Sequence, residues 1–145
     1  MKKLISLAIL LLAFSVQAQD ELTSQLYESY EDYKESSIGE RRIKHADIQP
    51  LIQKFKANPK FEVQKVGESI QGRDLHLISI GSGDSNIFLW SQMHGNEPTA
   101  TQAIFDILNF LDAPEFKAEK QEILSNLKLH FLPMLNPDGA EVFTR

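Results

Sequence analysis

Two side chains near the middle of the sequence could do chemistry together. In Gln92-Met93-His94-Gly95-Asn96-Glu97-Pro98 an imidazole and a carboxylate lie three residues apart. Zinc accepts both ligand types in a tetrahedral shell. The sequence contains no cysteine, so a metal site here must use His and carboxylate donors, which survive an oxidising compartment. Gly95 lets the backbone turn sharply between the two ligands. Pro98 suits the first position of a helix, which puts Glu97 at the helix N-terminus, where the dipole favours the ionised, metal-binding carboxylate. The same spacing also occurs in an ordinary polar loop. A catalytic zinc takes three protein ligands and leaves one position for water. The other histidines are His45, His76 and His130. His45 precedes a helix and the other two lie in strands, so none is recruited as the third ligand.

The elements around this pair must bring it to an accessible place. Ile87-Phe88-Leu89-Trp90 is a short continuous apolar run, the signature of a strand covered on both faces. From Ala100, the residues Ala103, Ile104, Ile107, Leu108 and Leu111 recur at helical spacing until Asp112-Ala113-Pro114 stops them. A weaker helix spans Glu115 to about Asn126, and Leu127 to Leu132 is strand-like again. Strand, helix, strand predicts a parallel pair within a mixed sheet. Its chemistry belongs in the loops after the strand ends, Ser91 to Glu97 and Pro133 to Arg145. Upstream, Leu22, Leu26, Tyr30 and Tyr33 describe an acidic amphipathic helix from Asp20 to Glu35. A second helix starts near Asp47 as N-cap and carries Ile48, Leu51, Ile52 and Phe55 on one face. Pro50 falls in its first turn and Asn58-Pro59 ends it. Phe61 to Val66 and Leu75 to Ile80 alternate about a turn, which predicts a hairpin.

Composition sets the class. The 145 residues are 42% hydrophobic and 24% charged with a net charge of -5, which excludes disorder and coiled coil. No basic block is present to grip a phosphate backbone, so nucleic acid is not an expected partner. Met1-Lys2-Lys3, an apolar run of 13 residues from Leu4 to Val16, and the small residue Ala18 form an export signal over residues 1–18. That run reaches only about 20 Å, too short to anchor in a hydrocarbon core of about 30 Å. The expected location is periplasmic or extracellular, with no membrane contact after signal cleavage.

Asn136-Pro137-Asp138-Gly139 is by itself a turn signature. Taken with His94-Gly95-Asn96-Glu97 before it and Ser69-Ile70-Gln71-Gly72-Arg73 further upstream, the chain from about residue 45 to residue 145 resembles the zinc carboxypeptidase family of the carboxypeptidase A type. The resemblance implies an α/β fold, a mixed sheet with flanking helices, apparently truncated after its first half. It implies that His94 and Glu97 are two ligands of one Zn2+, and that Arg145 polarises the scissile carbonyl of a peptide or amino-acid amide substrate. The family's third zinc ligand, general base and terminal-carboxylate site follow the matched segment, so none of these is assigned. The expected organisation is a signal (1–18), an N-terminal helical segment (19–58) and the first part of the catalytic domain (59–145). Aspartoacylase and succinylglutamate desuccinylase types share a similar metal loop, and the hairpin and Asn-Pro-Asp-Gly motifs favour the peptidase over them. A catalytically silent binding module of the same fold is the other reading. Open strand edges are expected to make the isolated chain self-associate.

Overall fold

The computed structural model describes residues 21–145; the expected export signal lies outside them. The chain divides after Lys34 into two units, described separately. In the first, residues 21–28 are helical and a single turn, α1 (Tyr30–Tyr33), follows. The helix expected to run unbroken to Glu35 is interrupted at Ser29, whose hydroxyl donates to the Gln25 carbonyl at 2.8 Å, a back-bond that bends helices.

The second unit opens with a 3-10 turn (Ser36–Ile38) and α2 (His45–Lys56), then β1 (Glu62–Glu68), β2 (Asp74–Ile80), β3 (Ser85–Trp90) and α3 (Thr99–Asp112). It continues with α4 (Lys117–Asn126), β4 (Leu127–Leu132) and α5 (Pro137–Val142). The sheet order is β1-β2-β4-β3. β1 and β2 form the expected antiparallel hairpin, β4 runs antiparallel to β2, and β3 lies parallel to β4 with Trp90 opposite Leu132. This is the α/β, mixed-sheet architecture that the periodicities predict.

Apolar spacing explains the core. Ile48, Leu51, Ile52 and Phe55 of α2 and Ile104, Phe105, Leu108 and Leu111 of α3 are buried with Ile78, Ile80 and Phe131 of the sheet. Phe55 anchors the junction, edge-on to Phe61 at 4.9 Å and stacked with Phe105 at 6.3 Å between centroids. The start of α2 differs from the sequence reading. Asp47 is the third helical residue and accepts the Lys44 N–H at 2.7 Å, reaching back over the helix end as in a capping box. Pro50 therefore falls inside the helix and forfeits one backbone bond there. The weakly amphipathic α4 is held by Lys120. Its buried ammonium donates to the carbonyls of Phe110 (2.9 Å) and Ala113 (2.5 Å) at the end of α3, and burial pushes its pKa down.

β3 departs from expectation. Its apolar run predicts cover on both faces, yet β3 is the outer strand of the described sheet, and Ile87, Phe88 and Trp90 are 42%, 53% and 49% exposed. Leu89 packs against the core. On the opposite face Phe88 and Trp90 stack on each other at 5.5 Å, so they shield one another in part from solvent. Among the described residues no helix is long and apolar enough to cross a membrane.

Candidate metal site

Parallel pairing of β3 with β4 brings the ends of both strands, and the loops beyond them, side by side. The pairing continues past the strands: Ser91 N donates to Leu132 O (3.1 Å), Leu135 N to Ser91 O (2.9 Å) and Asn136 N to Gln92 O (3.1 Å). The Asn136 side chain caps α5 by accepting from Gly139 N at 2.8 Å, and its amide donates to Met93 O at 3.1 Å. Gly95 packs directly against the Gly139–Ala140 backbone, close enough that a Cβ there would lie 1.9 Å from the Gly139 carbonyl carbon. Gly95 does stand in the turn expected between the two ligands, which Glu97 N closes onto His94 O at 3.1 Å, and a second constraint also acts on it. Its φ is not positive, and its value is the close approach of two backbones.

The residue with the left-handed backbone in this loop is Gln92, at φ 49°. It is 3% exposed, and its amide donates to Ile43 O (2.9 Å) and Gly95 O (3.0 Å) while accepting from the Thr101 hydroxyl at 2.8 Å. Sequence reasoning missed this organising role. The available signal was a long amide at the exit of an apolar strand, where apolar periodicity stops before the helix begins.

This frame presents the two expected ligands together. His94 Nδ1 lies 2.9 Å from Glu97 Oε2. Arg145 Nη2 lies 3.5 Å from the other carboxylate oxygen, Oε1. All three side chains reach solvent. Pro98 is the N-cap of α3 rather than its first residue, so Glu97 stands one position further from the helix dipole than the sequence suggests. A cleft of about 860 Å³ adjoins the pair, lined in part by Arg41, Trp90, Met93, Asn96 and Gln102. Asn96 Oδ1 is buried there without a hydrogen-bond partner among the described residues.

The donors fit half of a zinc shell. Two ligands of one tetrahedral zinc sit roughly 3.3 Å apart, so the His94–Glu97 pair needs only a small opening to hold an ion. Among the described residues no group of three His, Cys, Asp or Glu side chains comes together. Of the other histidines, His45 and His130 are engaged elsewhere. His45 Nε2 is 3.0 Å from the Asp74 carbonyl oxygen. Burial lowers the pKa of His76. His130 Nε2 lies 2.9 Å from Asn86 Oδ1 and Nδ1 2.7 Å from the Ser79 hydroxyl.

The three motifs also touch across long separations in the chain. Asp138 Oδ1 accepts from the Ser69 hydroxyl (2.7 Å) and Arg73 Nη1 (2.6 Å), and Oδ2 accepts from Gln71 N (3.1 Å). Desolvation raises the Asp138 pKa, but these three donors outweigh it and hold the carboxyl below its ordinary 3.8. Asp112, bonded to Lys60 and Asn58, is likewise held low against its desolvation. A depressed carboxyl takes up its proton first in the unfolded chain, so each contributes stability present above pH 3.8 and lost as pH falls through the lower folded value. Urea midpoints should therefore decline gently from neutral pH to about pH 5, where burial makes His76 harder to protonate in the folded state than in the unfolded chain, and drop steeply below about pH 4. Asp138→Asn should flatten that drop.

Known proteins share the sequence pattern and the fold. The model of the family described as zinc carboxypeptidase matches residues 48–145. Carboxypeptidase B of Astacus astacus is 34% identical over 86 residues, covering 57% of this chain and 28% of the relative. The carboxypeptidase N catalytic chain of Homo sapiens is 29% identical over 90 residues, covering 55% and 19%. The chain thus spans less than a third of either relative. A metallo-carboxypeptidase from Burkholderia cenocepacia has a similar fold, with a TM-score of 0.63 at 16% identity over 68% of this chain and 28% of that one. The family match contains both loops and the strands that align them, and the chain belongs to the zinc carboxypeptidase family.

Proposed function

We propose that the protein is an exported, zinc-dependent metallocarboxypeptidase acting on peptide or amino-acid amide bonds, in the periplasm or outside the cell. Residues 1–18 are the export signal, 19–58 an N-terminal helical segment, and 59–145 the first part of the catalytic domain. The observation that carries the reading is the His94–Glu97 pair, 2.9 Å apart in the loop after a parallel strand, with Arg145 beside it. In this reading His94 Nδ1 and Glu97 Oε2 hold the ion. Bound zinc supplies a Lewis acid and lowers the pKa of its water.

Arg145 has the polarising role. Its contact with Glu97 is long at 3.5 Å and its side chain is 74% exposed, so the guanidinium retains donors for a substrate carbonyl oxygen. A fixed positive charge there stabilises the oxyanion that develops when the carbonyl is attacked. The β3 edge, with Phe88 and Trp90 half-exposed, supports self-association of the isolated chain.

The test is zinc uptake by competition with a chromophoric chelator, followed by release of the C-terminal residue from a peptide by the whole protein. One zinc per chain is expected, bound weakly by the isolated chain, with affinity reduced about 100-fold by His94→Ala. Wild-type affinity in His94→Ala and in Glu97→Ala would overturn the assignment.

A further inference from the structure

Asp138 is placed to do more than end a turn. All three donors to its carboxylate come from one five-residue turn, Ser69–Arg73, more than sixty positions upstream. That turn is closed before it meets Asp138: Ser69 N donates to Arg73 O at 2.9 Å, Arg73 N to the Ser69 hydroxyl oxygen at 3.1 Å, and Arg73 Nη1 to Gln71 Oε1 at 2.7 Å. Charge-assisted bonds to a partly buried carboxylate are among the stronger polar contacts a protein makes. An acidic residue serving only the α5 helix dipole would need none of these partners.

The other side of the same short segment grips the loop that carries His94. Asn136 holds Met93 O through its amide and Gln92 O through its backbone N–H, and Gly139 abuts Gly95. Met93 and Gly95 are the two chain neighbours of His94, so the Asn136–Gly139 turn fixes the backbone on both sides of the ligand. The turn itself is fixed from behind by the hairpin through Asp138.

We propose that Asp138 is a positioning residue for the metal pair: clamped by Ser69, Gln71 and Arg73, it sets the backbone that carries His94 and thereby the affinity of the His94–Glu97 site for zinc. The proposal rests on the metal assignment above, and its test separates the two. In the whole chain, zinc affinity is measured by chelator competition, and the amide 1H–15N shifts of Met93, Gly95 and Glu97 are recorded without metal, for wild type, Asp138→Asn and Ser69→Ala. Asp138→Asn, which turns an amide N–H toward existing donors, is expected to weaken zinc about 10-fold and to move those three amides while the β1–β2 amides stay in place. Ser69→Ala should do the same to a smaller degree. Unmoved Met93, Gly95 and Glu97 amides in a folded Asp138→Asn protein would overturn the proposal. Should that variant unfold, Ser69→Ala decides: wild-type shifts and affinity overturn the clamp, and displaced amides support it. A wild-type chain that takes up no zinc would remove the metal assignment, and the amide shifts would still decide whether the clamp positions the loop.

Discussion

Gly95→Ala is expected to lower stability by about 3 kcal/mol and to abolish zinc uptake. A Cβ on Gly95 would lie 1.9 Å from Gly139 C, 2.1 Å from Ala140 N and 2.2 Å from Gly139 O. Every one of these atoms is backbone, so no side chain can rotate away. Either the loop after β3 or the start of α5 must move, and both are tied to their neighbours by hydrogen bonds. Moving them pulls Met93 off Asn136 and turns His94 away from Glu97. Gly39→Ala is the control, because a Cβ there would meet its nearest atoms at 3.8 and 3.9 Å, ordinary van der Waals distances, and should be close to neutral. Urea denaturation of both variants, with zinc titration of each, gives the comparison. A Gly95→Ala protein as stable as Gly39→Ala would show that the two loops do not meet as described.

Gly95 also marks where the sequence stopped being legible. Residue type and position identified it, and the turn it was read to allow is present, but the constraint that demands a glycine is a backbone more than forty residues downstream. The same division runs through the molecule. Helices α2 and α3 were readable because apolar residues at i, i+3 and i+4 make one face, and that face is the core. The β3–β4 pairing was readable because a strand, a helix and a strand can close in few ways. The exposure of β3 was not, since a continuous apolar run records what a strand can bury without recording how many neighbours it has. His94 and Glu97 were readable as a pair from spacing and residue type. The Asp138 contacts and the hub at Gln92 depend on tertiary packing, and polar residues that serve each other across long separations leave no period in the sequence.

Gln92→Leu carries the second large effect, a loss of about 3 kcal/mol. Leucine nearly preserves side-chain volume but offers no donor, so the carbonyls of Ile43 and Gly95 lose the Gln92 amide bonds they now accept. An acceptor left without its donor in a buried site costs about 1–3 kcal/mol, and Gln92 is only 3% exposed. Thr101 is less affected because its hydroxyl also reaches Pro133 O at 2.9 Å. The backbone at φ 49° is no easier for leucine than for glutamine, so nothing offsets the loss. Gln92→Glu sharpens the argument. Its ionised carboxylate would set acceptors against both carbonyls, whereas the protonated acid can donate to one of them. Burial and those two oxygens raise the folded pKa of the introduced carboxyl above its unfolded value, so the folded state binds the proton more tightly. Relative to wild type, Gln92→Glu should therefore gain stability as pH falls from 7 towards about 5. Midpoints of Gln92→Glu that do not rise relative to wild type on acidification would mean that the side chain at position 92 does not face these carbonyls.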